Sequence, residues 1–148
     1  MSEFRVDQVD HIEILVPDRY EAAAWYERVF GLTAVAGFEQ WAEHPSGPLM
    51  VSSDGGSTKL ALFTGISQGD TPAMGIQLVA FRVSGAAFLA FLDRLGSLQL
   101  TDHRARTVTP ELVSDHGKAF SIYFSDPWGN RFEITTYDHE VVRAAIGA

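Results

Sequence analysis

The chain of 148 residues has no cysteine, which excludes disulfides and thiolate metal ligands together. No run of eighteen apolar residues occurs in it, so no helical membrane span is expected. Basic residues are scarce, 11 Lys and Arg against 19 Asp and Glu, for a formal net charge of −8. Such a surface repels phosphate backbones and anionic lipid, so neither nucleic acid nor a membrane is an expected partner. Arg104 and Arg106 beside His103 form the one local basic cluster, too short to reverse that expectation. The start, MSEFRVDQVD, lacks the charged beginning and apolar centre of a signal peptide, and the expected location is cytoplasmic. What is present is a core: 46% hydrophobic against 20% charged residues is the profile of a globular domain.

The order of predicted elements repeats. VDHIEILV (9–16) alternates as a strand, with Ile12, Ile14 and Val16 on one side and His11 and Glu13 on the other. Asp18 is placed to cap a helix whose Ala22, Trp25, Tyr26, Val29 and Phe30 recur at helical spacing, and Gly31 stops it. Three extended segments follow, LTAVAGFEQW, PLMVSS and TKLALF. The sequence then begins again with a strand, IQLVAFRV (76–83). A helix capped by Ser84 and ended by Gly96 follows, then a short strand near Leu112. A hairpin closes the series, FSIYFSDPWGNRFEITTYD, turning at DPWGN. Aligned, the two halves set His11 against Leu78 and Ala61 against Glu133. Neither half could bury its sheet alone; side by side, two curved half-sheets would place helices outside and a cup inside.

Within that plan VDHIEILVPD, AAAWYERVFGL and YFSDPWGNRFEI resemble the opening and closing signatures of the vicinal oxygen chelate superfamily. Its members include glyoxalase I, extradiol catechol dioxygenases, fosfomycin-resistance transferases and bleomycin-resistance proteins. The resemblance implies an α+β fold of two tandem β-α-β-β-β modules forming a curved, incomplete barrel. The modules fall at about 8–63 and 76–137, joined by a linker at about 64–75 and followed by a tail at 138–148, all within one domain. The fold is the specific part of this expectation; it hosts several chemistries.

The family's metal ligands lie on the first and last strand of each module, which carries the slots over to His11, Ala61, Leu78 and Glu133. Strand alternation agrees about direction. If Phe120, Ile122, Phe124, Phe132 and Ile134 face a helix, then Ser121, Tyr123, Glu133 and Thr135 share the other side. His11 and Glu133 are thus the implied metal ligands, with Glu13 a substitute third, while Leu78 and Ala61 supply no electron pair. A divalent ion (iron, manganese, nickel or zinc) is expected to be weakly held or absent, because three protein ligands are the usual minimum.

Three functions follow from these residues. In a metal-dependent dioxygenase, or a glyoxalase-type isomerase or lyase, the ion would act as Lewis acid and Tyr123 would bond the substrate. In a metal-free module of the bleomycin-resistance kind, Leu78, Ala61, Ala80 and Phe63 would give an apolar floor. In a metal-free enzyme Glu133 would be the general base. The expectation carried forward is a small, aromatic or apolar, oxygen-bearing molecule in the cup over a degenerate metal site. Phe63, Leu78, Arg82 and Tyr123 would bind it, and Glu133 and Tyr123 would be catalytic. A homodimer is implied by the resemblance. His116 reads as a solvated loop residue, and His44, His103 and His139, in polar surroundings, carry no expected role.

Overall fold

A computed structural model describes residues 4–5, 8–65 and 75–147. Most of the expected linker lies outside the described residues. Two compact units divide the chain, residues 1–70 and 71–148. Each is built on a four-stranded mixed sheet, and neither sheet closes into a barrel.

In the first unit β1 (His11–Val16) leads to α1 (Arg19–Phe30), then β2 (Thr33–Ala34), α2 (Glu39–Glu43), β3 (Leu49–Ser52) and β4 (Lys59–Thr64), with sheet order β1-β4-β3-β2. The Asp18 carboxylate accepts from the Tyr20 and Glu21 amides, and Gly31 ends α1 in the left-handed region at φ 74°. Ala22, Tyr26 and Val29 of α1 are buried, as are Ile14, Val16, Val51, Leu60 and Leu62 of the sheet. These side chains form the unit's core, and strand alternation leaves His11, Glu13, Lys59, Ala61 and Phe63 on the other face.

The second unit repeats the pattern. It comprises β5 (Val79–Arg82), α3 (Gly85–Leu98), β6 (Ser114–Asp115), β7 (Phe120–Ser125), β8 (Arg131–Thr136) and α4 (His139–Ile146), ordered β5-β8-β7-β6. The Ser84 hydroxyl accepts from the Ala87 amide to cap α3. Phe120, Ile122, Phe124, Phe132 and Ile134 are all buried. Phe91 of α3 stacks on Phe124 at 5.6 Å, which confirms the helix-facing side expected from alternation.

Registers make the duplication exact to the residue. Glu13 stands opposite Ala61 in the parallel pair β1–β4, and Ala80 opposite Glu133 in β5–β8. Met50 pairs with Ala61 in β3–β4, and Tyr123 with Glu133 in β7–β8. Equivalent positions are therefore Glu13 and Ala80, Ala61 and Glu133, Met50 and Tyr123, and Lys59 and Arg131. Two residues before Glu13 and Ala80 stand His11 and Leu78; three before stand Asp10 and Gln77.

Several boundaries differ from expectation. LTAVAGFEQW is extended only at Thr33–Ala34. Gly37 turns at φ 97°, its amide donates to the Glu39 carboxylate at 2.9 Å, and the helix formers beyond it make α2. Helix α3 runs past Gly96 to Leu98 and ends at Gln99, a left-handed residue at φ 54°. Gly96 is exposed, where glycine costs only about 1 kcal/mol, and burying Leu98 offsets it. The short strand expected near Leu112 forms just beyond it as β6, Ser114–Asp115, after a 3-10 turn at Pro110–Leu112, where Pro110 has no N–H for a ladder. Among the described residues no helix is long and apolar enough to cross a membrane.

Candidate functional site

On the face of the second sheet turned away from α3, Tyr123 and Glu133 stand side by side on β7 and β8. The Asp126 carboxylate holds the intervening turn: it accepts from the amides of Trp128 (3.0 Å) and Asn130 (2.8 Å) and from the Asn130 side chain. Gly129, at φ 97°, makes the reversal possible. The next cross-strand pair along, Ser121 and Thr135, is joined by a hydroxyl bond of 2.9 Å. Burial, and then the charge of Glu133, push the Tyr123 phenol above its ordinary range, with the hydrogen bond to Ser121 opposing them. The phenol therefore stays a hydrogen-bond donor over the physiological range.

His116 was expected in a solvated loop. Its ring is exposed, but Nε2 shares a hydrogen bond of 2.9 Å with the Tyr123 hydroxyl. The spacing of SDHGKAF gives no sign of this, because the short β6–β7 turn alone brings the two together.

Beside Tyr123 lies a cavity of about 330 Å³. Its wall is formed by Gln77 and Leu78 ahead of β5, Tyr123, and Arg131 at the start of β8. Leu112 and Ser114 add to the lining, as do Asp102, His103 and Arg106. The loop carrying the last three is stapled by buried Asp102. Its carboxylate accepts from the backbone amides of Arg104 and Arg106, each at 2.9 Å, and from Arg106 Nε at 2.8 Å. Burial alone would raise the Asp102 pKa, but these bonds and the Arg106 charge outweigh it and keep the group below the ordinary range. Ala105, a non-glycine residue at φ 61°, sits at the loop tip, a strained position maintained by the staple.

The first unit carries a different polar group. Lys59 is buried; its ammonium donates to Asp10 Oδ1 at 3.1 Å and to the Gly56 carbonyl at 2.7 Å, and it lies over the Phe38 ring. The other Asp10 oxygen is 2.8 Å from His11 Nδ1, and Glu13 Oε2 lies 3.4 Å from His11 Nε2. The hydrogen bond that His11 donates to Asp10 raises its pKa, against a lowering by burial, and Glu13 adds to the rise.

The implied ligands His11 and Glu133 thus lie in different units, on β1 and β8. Glu13 is beside His11, whereas Ala61 and Leu78 occupy the remaining slots without donor atoms. Among the described residues no three His, Asp or Glu side chains form a group able to hold a metal ion. The donor set does not fit the family's catalytic ion.

Of the other expected residues, Tyr123 and Leu78 share the cavity. Phe63 is half-buried on β4 of the first unit, opposite Leu15. Arg82 is exposed on β5, opposite Thr135. His139 has the expected polar neighbours, with Nε2 2.7 Å from Asp115, and in addition stacks on Phe120 at 4.5 Å. Arg131, Gln77, His103 and Arg106 were not singled out as site residues. Arg131 was findable, because it repeats the position of Lys59.

A family model described as Glyoxalase/Bleomycin resistance protein/Dioxygenase superfamily matches residues 8–134. Among solved structures the oxidase ChaP-H2 is 23% identical, covering 89% of this chain and 94% of its own, with a TM-score of 0.64. A mutant of the fosfomycin resistance protein FosX from Listeria monocytogenes, complexed with Mn(II) and a dihydroxypropylphosphonic acid, is 18% identical. It matches over 93% of this chain and 97% of its own at a TM-score of 0.64. An integron cassette protein of V. Cholerae is 18% identical over 92% and 99%, at 0.59. No curated protein matches the chain.

Proposed function

The chain belongs to the Glyoxalase/Bleomycin resistance protein/Dioxygenase superfamily, and from that premise we propose that the second unit binds a small oxygen-bearing molecule against Tyr123. The reading is carried by one observation: Tyr123 and Leu78 line a single cavity of about 330 Å³. A protonated phenol and an apolar wall together suit a phenol, enol or diol, with the phenolic O–H oriented by His116. Glu133, paired with Tyr123 across the hairpin, is the general base of this reading, taking a proton from the bound hydroxyl. No step passes through a metal, because the slots at Ala61 and Leu78 offer no donor. Assembly as a homodimer and a cytoplasmic location belong to the same reading; sedimentation and cell fractionation test them.

Catechol titrated calorimetrically into the full chain tests the assignment. Tyr123→Phe removes one hydrogen bond and should weaken catechol roughly threefold to tenfold. Equal affinity in the two proteins would remove Tyr123 from the site. Protein purified without chelator should carry a divalent ion well below stoichiometry. Stoichiometric iron, manganese, nickel or zinc after dialysis would show that residues outside the expected set complete a centre.

A further inference from the structure

We propose that the cavity beside Tyr123 recognises an oxyanion, with Arg131 as its principal cation and Arg106 and His103 as further donors. The inference rests on the small-molecule reading and names the substrate class: an organic anion bearing a carboxylate or a phosphate-type group.

The internal duplication supplies the argument. Lys59 and Arg131 hold the same register position in their two sheets, because each stands two residues before the position shared by Ala61 and Glu133. In the first unit the cation is neutralised within the protein, by Asp10 at 3.1 Å. The position equivalent to Asp10 in the second unit is Gln77, an amide with no charge. Gln77 and Arg131 both line the cavity. Arg131 is half-buried, and among the described residues no carboxylate lies within ion-pair distance of it. A guanidinium is charged at any physiological pH, and a partly desolvated charge without a counterion is unfavourable. The second unit has kept the cation and replaced its built-in partner by a cavity.

The loop stapled by Asp102 adds further donors to the lining. Arg106 gives Nε to Asp102, and the two cancel in charge. Arg106 also lines the cavity. The Asp102 staple holds this loop in place despite the strain at Ala105, so Arg106 and His103 are positioned before any ligand arrives. The charge left uncompensated is that of Arg131, in a chain of net −8. The protein as a whole repels anions, so retention of one at this cavity depends on local geometry, and the planar fork of arginine matches a carboxylate or phosphate.

Benzoate, inorganic phosphate and the neutral benzamide, each titrated calorimetrically into the full chain, test this. Benzoate or phosphate should bind well above benzamide, and the stronger of the two identifies the anionic group. Arg131→Gln removes the cation, and Gln77→Glu restores the carboxylate that the first unit has at Asp10. Each should weaken the preferred anion roughly tenfold to a hundredfold, with folding of the variants verified by circular dichroism. Absence of anion binding in the parent chain, or binding that survives both substitutions, overturns the proposal. The two readings fail separately. Catechol binding that depends on Tyr123 without any anion preference defeats only the oxyanion inference. Anion binding that depends on Arg131, with catechol indifferent to Tyr123→Phe, defeats only the hydroxyl reading.

Discussion

The two sheets share a topology and a register, yet they distribute charge in opposite ways. In β1–β4 the carboxylate is on the outer strand and the alanine on the inner, Glu13 opposite Ala61; in β5–β8 the alanine is outer and the carboxylate inner, Ala80 opposite Glu133. The first unit closes a chain of polar contacts on itself, Lys59 to Asp10 to His11 to Glu13. The second replaces Asp10 and His11 by Gln77 and Leu78 and opens a cavity at the same place. Helix-facing positions are conserved in kind between the halves while open-face positions are not. Packing fixes the former, because each helix must cover apolar strands; nothing in the fold requires a particular side chain on the latter, so chemistry can differ there.

The comparison is broken most severely through the cores it holds in common. Phe132→Ala should cost about 3–5 kcal/mol and its counterpart Leu60→Ala less, within about 2–5 kcal/mol, read by urea unfolding. Equal and negligible losses would mean that these faces do not carry the core. Asp102→Ala tests the staple of the cavity loop in the second unit. Three donors lose their acceptor, so a loss of about 1–3 kcal/mol is expected, with anion binding weakened as the loop relaxes.

Titrations sharpen the contrast further. The Tyr123 phenol should ionise above the ordinary tyrosine range, and Glu133→Gln should lower its midpoint, followed by ultraviolet absorbance. Since the unfolded chain loses this proton first, the associated stability is present below pH ~10 and is lost as pH rises beyond it. The smallest effect concerns His11. Its raised pKa stabilises the folded state fully below pH ~6.5 and ceases to do so as pH rises through the folded value. Asp10→Asn should bring the midpoint back down in an NMR titration; an unchanged midpoint would show that Asp10 does not hold the ring.

Much of this was legible in the residues. The alternation around DPWGN separated Phe132 and Ile134 from Tyr123 and Glu133, and the caps at Asp18 and Ser84 marked both long helices. The duplication in the residue pattern alone sets Leu78 against His11. The limits were physical. Gly96 reads as a stop by local propensity, but burial of Leu98 carries the helix through it. His139 reads as a surface residue because its neighbours in sequence are polar, whereas in space its ring stacks on Phe120 as well as meeting Asp115. Arg131 and Gln77 are ordinary residues taken singly; their meaning lies in the comparison with Lys59 and Asp10, which needs strand register and not merely strand identity.

Gly85, where α3 begins, does more than start that helix. Its amide donates to the Asp138 carboxylate at 2.7 Å, and a methyl group there would come within 2.9 Å of Asp138 Cβ and 3.0 Å of Val141 Cγ1. The final helix is therefore seated against α3, and Val142 is wholly buried, although the family match stops at residue 134. Anyone trimming the protein to its matched region for expression would uncover that seam, and the shortened product should be prone to aggregate.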